Sequence, residues 1–446
     1  MLFAQLCLAG KNLLAYDRPM NRPLTTAATA VAPVHTVIPA RAGTLLLSHT
    51  AVDAYAFFVP PLIGVLQIRC ELTHEQAAWM LGIGSLTSGL SQPLGAWISD
   101  RTDSRLFGAL GLLIAAVCLS CIGLADSFAT LLPLFALGMI GVGIFHPVGA
   151  SCCGQIAELL PGKRRSLGVS VFFVFGMVGG VIGSLLARKI AMSGDDGFSM
   201  LRYAMIPGIL LAVLLHVAIR HLPHRHHEHH LIQFDKNESG RRWRMVIVLY
   251  FSNAMRFTVN VTLIYLIVRW AEALATTENP LLSTEAIAEQ GGRIAGTVNA
   301  LLVLGMAIGG IFAGTMIPKG AEKWPLVLVP ILFSPSIILF GSSSLVVGYG
   351  LVILAGISFA SMIPVCLGLA QRLLPHRTSM ASGLMLGGAW ALAVVGPRTA
   401  EYCMSTLEFS LPQTFSLTAG LLVLSGLVCL LLNSSALHET VHADPH

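Results

Sequence analysis

The sequence predicts an all-α integral membrane protein with twelve transmembrane helices in two pseudo-symmetric six-helix halves. Three observations predict this class: the composition, the number of apolar spans, and a repeat that divides the chain near its middle. Of 446 residues, 55% are hydrophobic and only 11% charged, and mean hydropathy is +0.76. A soluble domain spends about a quarter of its residues on charge. This chain lacks the polar residues to cover a globule of its size. The composition argues against a soluble enzyme, a nucleic-acid binder, a disordered chain and a disulfide scaffold. The net charge of +5 does not point to nucleic acid, because the basic residues lie in short loops between apolar spans.

A spanning helix needs about 20 mostly apolar residues. Such stretches are found at 44–68, 77–98, 106–124, 128–149, 166–187, 200–219, 245–268, 294–317, 325–341, 346–367, 379–399 and 413–433. The second is rich in Gly and Ser and the ninth is short. Residues 1–43 read as an irregular cytoplasmic tail without a clear signal peptide, and Met20 is an alternative start. Residues 434–446 read as a second tail. With the N terminus inside, 19 Lys and Arg fall in inner segments and seven in outer ones, and Arg256 lies within a span. That asymmetry places both termini in the cytoplasm, and an even number of spans agrees. A bacterial inner (plasma) membrane protein, multi-pass and monomeric, is the expectation.

The repeat appears as Leu159-Leu160-Pro161-Gly162-Lys163 and Leu373-Leu374-Pro375-His376-Arg377, whose prolines are 214 positions apart. Each precedes a Gly-rich span. The halves are then 44–219 and 245–433, joined by a polar linker at 220–244. Repeated halves with a site between them are a transporter design. No Walker A motif is present to power an ATP pump.

Ionisable groups within a span are costly, so they are functional candidates. These are His49 and Asp53 in the first span, His146 in the fourth and Arg256 in the seventh. His49 and Asp53 are four residues apart and share a helix face. A carboxylate beside an imidazole suits proton coupling. Aligning Phe251-Ser252-Asn253 with Leu47-Ser48-His49 puts Arg256 one residue before the counterpart of Asp53. Asp53 or an anionic substrate is then its expected partner, with Asn260 one turn further along the same face. Asp100 and Arg101 begin a short charged inner loop that reads as a gate. The six histidines between His221 and His230 read as a solvated linker and not as a metal site. Cys118 and Cys121 have C-x-x-C spacing inside a span and read as packing. No nucleophile–base pair or metal constellation points to an enzyme, and no cofactor is expected.

Several motifs go further. Ser48-His49-Thr50-Ala51-Val52-Asp53 reads S-H-x-x-x-D, Gln92-Pro93 is followed by Trp97 and Asp100, and Phe145-His146-Pro147 lies in the fourth span. Ala370-Gln371-Arg372-Leu373-Leu374-Pro375 and Met380-Ala381-Ser382-Gly383-Leu384 lie near the other end. In these the chain resembles the fosmidomycin resistance branch of the major facilitator superfamily. It departs from that pattern at Ala96, at Val148-Gly149, and in a fifth span without proline. The resemblance implies a proton-driven antiporter that exports a small organic or drug-like compound by alternating access. Its partners would be the lipid bilayer, a small-molecule substrate and protons, with no nucleic acid. A proton symporter or uniporter importing an organic anion, and a non-transporting membrane sensor, are the alternatives.

Overall fold

The computed structural model describes residues 34–102, 105–159, 165–193, 197–220, 222, 235–435 and 437. Among them the chain forms twelve helical rods and no strand. In the first half these are α1 (Val34–Ala56, continued through a tight turn by Ile63–Arg69), α2 (His74–Thr102) and α3 (Leu106–Cys121), then α4 (Phe128–Glu158), α5 (Arg165–Ala191) and α6 (Met205–Ile219). In the second half they are α7 (Lys236–Glu278), α8 (Thr284–Met316) and α9 (Lys323–Phe340), then α10 (Leu345–Ala360, continued by Met362–Leu373), α11 (Met380–Ser405) and α12 (Leu411–Val428). Eleven rods are long and apolar enough to cross a membrane.

The exception is α2. Its apolarity is low because it packs on α4 in its own half and on α11 in the other. Ser85, Ser88 and Ser91 are accordingly buried against protein. Gly89 lets α2 approach α11: a Cβ there would stand 2.5 Å from the backbone nitrogen of Ala391. The α5–α8 contact is the matching seam between the halves.

Three boundaries differ from the sequence expectation. Residues 34–43 continue α1 and are not an irregular tail. Residues 236–244 belong to α7, whose N-cap Asp235 accepts a hydrogen bond from the backbone N–H of Glu238. At 43 residues, α7 is about 65 Å long against a hydrocarbon core of about 30 Å, so its polar ends stand outside the apolar layer. Asp100 and Arg101 lie in the last turn of α2 and not in a loop. The fold thus lengthens helices where polar sequence suggested connections. The six histidines of the linker tract, His221, His224, His226, His227, His229 and His230, lie outside the described residues.

Within α11, Gly383–Gly388 forms a turn of π-helix. The wider turn presents carbonyl groups to neighbouring side chains. Asn253 Nδ2 of α7 donates to the Met385 carbonyl at 2.5 Å, and Tyr250 O–H to that of Gly388 at 3.3 Å.

Candidate functional site

His49 and Asp53 project from the same face of α1 because one helical turn separates them. Facing them is His146 of α4, one turn beyond Val142. His49 Nε2 lies 3.4 Å from Asp53 Oδ2, and His146 Nε2 lies 3.3 Å from Asp53 Oδ1. The two Nε2 atoms are 3.3 Å apart. Each ring is oriented from behind. His49 Nδ1–H donates to the Phe172 carbonyl of α5 at 2.6 Å, and His146 Nδ1–H to the Val142 carbonyl at 2.7 Å. The His49 ring is stacked on Phe172 with centroids 3.7 Å apart.

These bonds fix the tautomers. A carbonyl accepts only, so both Nδ1 atoms carry hydrogen. In neutral rings both Nε2 atoms are then bare acceptors facing a carboxylate. The cluster therefore needs an added proton or another cation between the three groups. His49 is 1% exposed, Asp53 13% and His146 22%, so access runs past His146 and Asp53.

The Gly-rich face of α5 makes room for this arrangement. A Cβ on Gly176 would stand 2.5 Å from both Asp53 Oδ2 and His49 Cε1. Gly179 and Gly183 likewise lie against the α1 backbone at Thr50 and Ala54. Thr50 adds a hydroxyl bond of 3.0 Å to the Phe175 carbonyl. The glycines of α5 thus let it pack closely on α1, and Gly176 also shapes the site.

Arg256 does not meet Asp53. It is fully buried within the second half, where Nη2 donates to the Leu326 carbonyl at 2.9 Å and Nη1 to Cys366 Sγ at 3.2 Å. Cys429 Sγ is 3.8 Å from Nη2. These partners lie on α9, on α10 and just past the end of α12, all in the second half. Asn260 is buried too, and its Oδ1 has no hydrogen-bond partner among the described residues. The side chains of Asp100 and Arg101 lie outside the description.

Two buried carboxylates among the described residues escaped the sequence reading: Glu322, which pairs with Arg372, and Glu401. Glu401, just past the expected end of the eleventh span, is 5% exposed. Tyr265 O–H donates to its Oε2 at 2.5 Å, and Arg269 Nη1 is 3.3 Å away. An acidic residue near an apolar span with an Arg at the end of another was the available signal.

Twelve helical rods in two halves, with a buried charged cluster inside one of them, define a multi-pass membrane carrier. The chain belongs to the Major Facilitator Superfamily, whose family pattern matches residues 42–284. It is 25% identical over 357 residues to the fosmidomycin resistance protein of Escherichia coli (strain K12), covering 79% of this chain and 84% of that one. An uncharacterised MFS-type transporter of Bacillus subtilis (strain 168) is 23% identical over 173 residues, 39% of this chain and 41% of that one. Among solved structures, a bacterial homologue of the human lysosomal transporter Spinster, inward-facing and unoccupied, superposes with a TM-score of 0.66 at 16% identity, covering 92% of this chain and 99% of that one. A D-xylose–proton symporter gives 0.64 at 14%, with 88% and 97% covered. These structures share the fold.

Proposed function

We propose that this carrier exports a small organic or drug-like compound in exchange for protons, with Asp53, His49 and His146 as the coupling site. The observation that carries the reading is the convergence of two Nε2 atoms and a carboxylate whose Nδ1 hydrogens are already committed to carbonyls. A proton held among them satisfies all three groups. Its release leaves acceptors face to face in a poorly hydrated place, which favours a rearranged, more hydrated state. Proton occupancy thereby biases which side the carrier opens to. Export is favoured over import by the relative whose name records resistance to a compound.

The test uses proteoliposomes with an imposed pH gradient and fosmidomycin as the first probe compound. Asp53→Asn is expected to abolish gradient-driven movement while retaining exchange, since exchange needs no net proton release. Normal gradient-driven transport by Asp53→Asn would remove the carboxylate from the mechanism. Proton movement in the same direction as the compound would replace antiport with symport. The same reading puts both termini and the 220–244 linker in the cytoplasm. A cysteine at position 230 should then resist an impermeant thiol reagent applied to whole cells.

A further inference from the structure

We propose that His49, Asp53 and His146 also form a binding site for a divalent transition-metal cation of the Zn2+ class. This goes beyond the carrier reading and stands on the site's geometry alone, and it departs from the sequence expectation that the chain holds no metal.

The donor set is two imidazole nitrogens and one carboxylate, which suits Zn2+ and its late first-row neighbours. Their spacing fits as well. A tetrahedral ion with bonds of 2.0–2.1 Å needs donors separated by about 3.3–3.4 Å. Here the Nε2–Nε2 edge is 3.3 Å, His49 Nε2 is 3.4 Å from Asp53 Oδ2 and His146 Nε2 is 3.3 Å from Asp53 Oδ1. A carboxylate that ligates through one oxygen thus meets the spacing to one ring and turns slightly to meet it to the other. All three donors lie within 4.8 Å of one another.

The support behind the donors is the kind that metal-ligating histidines use, with the second ring nitrogen held by a hydrogen bond. The Phe172 and Val142 carbonyls take the two Nδ1–H groups at 2.6 and 2.7 Å. That leaves each Nε2 lone pair directed at the shared centre. Stacking on Phe172 and the missing Cβ at Gly176 hold His49 in this pose.

Three protein ligands leave a tetrahedral ion one open position. An outside ligand would reach it past the partly exposed His146 and Asp53, since His49 is only 1% exposed. Two neutral rings and one carboxylate carry a single negative charge, so a bound divalent ion leaves a net charge of +1. The open position therefore favours an anionic oxygen donor, such as hydroxide or an acidic group on a transported compound. The ion and the bridging proton claim the same atoms and exclude each other.

The test is metal binding to the purified full-length chain, without a polyhistidine tag. The six histidines of the linker tract, His221, His224, His226, His227, His229 and His230, are replaced by Asn so that they bind no metal. Calorimetric titration with Zn2+ is expected to show one ion per chain. Titration with Co2+ is expected to give the intense visible absorption of a tetrahedral site. His146→Ala and His49→Ala should each weaken Zn2+ binding by more than about tenfold and remove the Co2+ absorption. The near-isosteric Asp53→Asn carries the test if an Ala variant fails to remain monodisperse. Absence of stoichiometric Zn2+ binding would overturn the proposal, as would binding that Asp53→Asn and His146→Ala leave unchanged. Metal binding without gradient-driven transport would count against the carrier reading alone, and transport without metal binding against this inference alone.

Discussion

Arg188 on α5 reaches across the division between the halves to Glu289 on α8, with Nη2 3.0 Å from Oε1 and Nε 3.2 Å from the Glu289 carbonyl. Arg398 on α11 makes the reciprocal contact to Glu75 on α2 at 2.7 Å. Glu75 and Glu289 are 214 positions apart, the spacing of the two Leu-Leu-Pro repeats. The internal repeat thus places an ion pair at each seam. Exposed pairs contribute about 0.2–1 kcal/mol each, and Glu289 is 53% exposed. Contacts this weak suit a seam that opens and closes in the proposed transport cycle.

Arg188→Gln is therefore expected to raise opening at this seam about 1.4- to fivefold, from the same energy range, and Arg188→Gln with Arg398→Gln more than either alone. The readout is the alkylation rate of a cysteine at Ser184, which is 1% exposed beside the α5–α8 seam. The paired reversal Arg188→Glu with Glu289→Arg should return the rate toward that of the parent. Equal rates in all five proteins would show that the pair does not hold the seam.

Gly176→Ala is expected to abolish gradient-driven transport. The added methyl would stand 2.5 Å from Asp53 Oδ2 and His49 Cε1, so the cluster cannot keep its geometry. Gly310→Ala is the control, since nothing lies within 4 Å of a Cβ there. It should transport like the parent and melt at or above its temperature, because Ala favours helix over Gly. Transport retained in Gly176→Ala would mean that the three groups need not converge.

Arg256 is expected to support structure and not coupling. Its guanidinium ties α7 to α9, to α10 and to the residues just past the end of α12 through Leu326, Cys366 and Cys429. Arg256→Ala removes a large buried side chain and should cost about 2–5 kcal/mol, as other large-to-small core changes do. Arg256→Met keeps most of the volume without the charge, and buried charges are often replaceable by apolar groups of similar size. It should retain gradient-driven transport. A normal melting temperature with lost coupling in Arg256→Met would return Arg256 to the proton pathway.

Eleven of the twelve rods were legible because each is a run of apolar residues long enough to cross a bilayer. The α2 rod was the least clear because its Gly and Ser pack on protein, and the repeat made the halves visible. The pairing of His49 with Asp53 was legible for a similar reason, since four-residue spacing fixes a shared helix face. Their meeting with His146 was not. It is 97 positions from His49, and only the packing of α4 on α1 brings them together. The expected pairing of Arg256 with Asp53 is not formed, because Arg256 points into its own half. An offset of one residue between the aligned halves turns a side chain by about 100° on a helix, enough to aim it into its own bundle. Glu401 was missed because span ends read from hydropathy fall short where a buried ion pair extends the helix.

Glu401 supplies a final prediction that separates packing from hydrogen bonding. Its Oε2 accepts from Tyr265 O–H at 2.5 Å and faces Arg269 Nη1 at 3.3 Å. The same hydroxyl lies 3.4 Å from the His74 carbonyl of the first half, so this group also adjoins the seam between the halves. A hydrogen bond to a charged group contributes about 1.5–3 kcal/mol, and Tyr265→Phe should lower stability by an amount in that range. Glu401→Ala should cost at least as much, because it leaves the tyrosine hydroxyl and Arg269 without their shared acceptor. Once Glu401 is Ala, adding Tyr265→Phe should cost little further. Thermal unfolding of the four detergent-solubilised proteins measures the cycle. If the two losses simply add, the bond contributes nothing of its own and the two residues act only through packing.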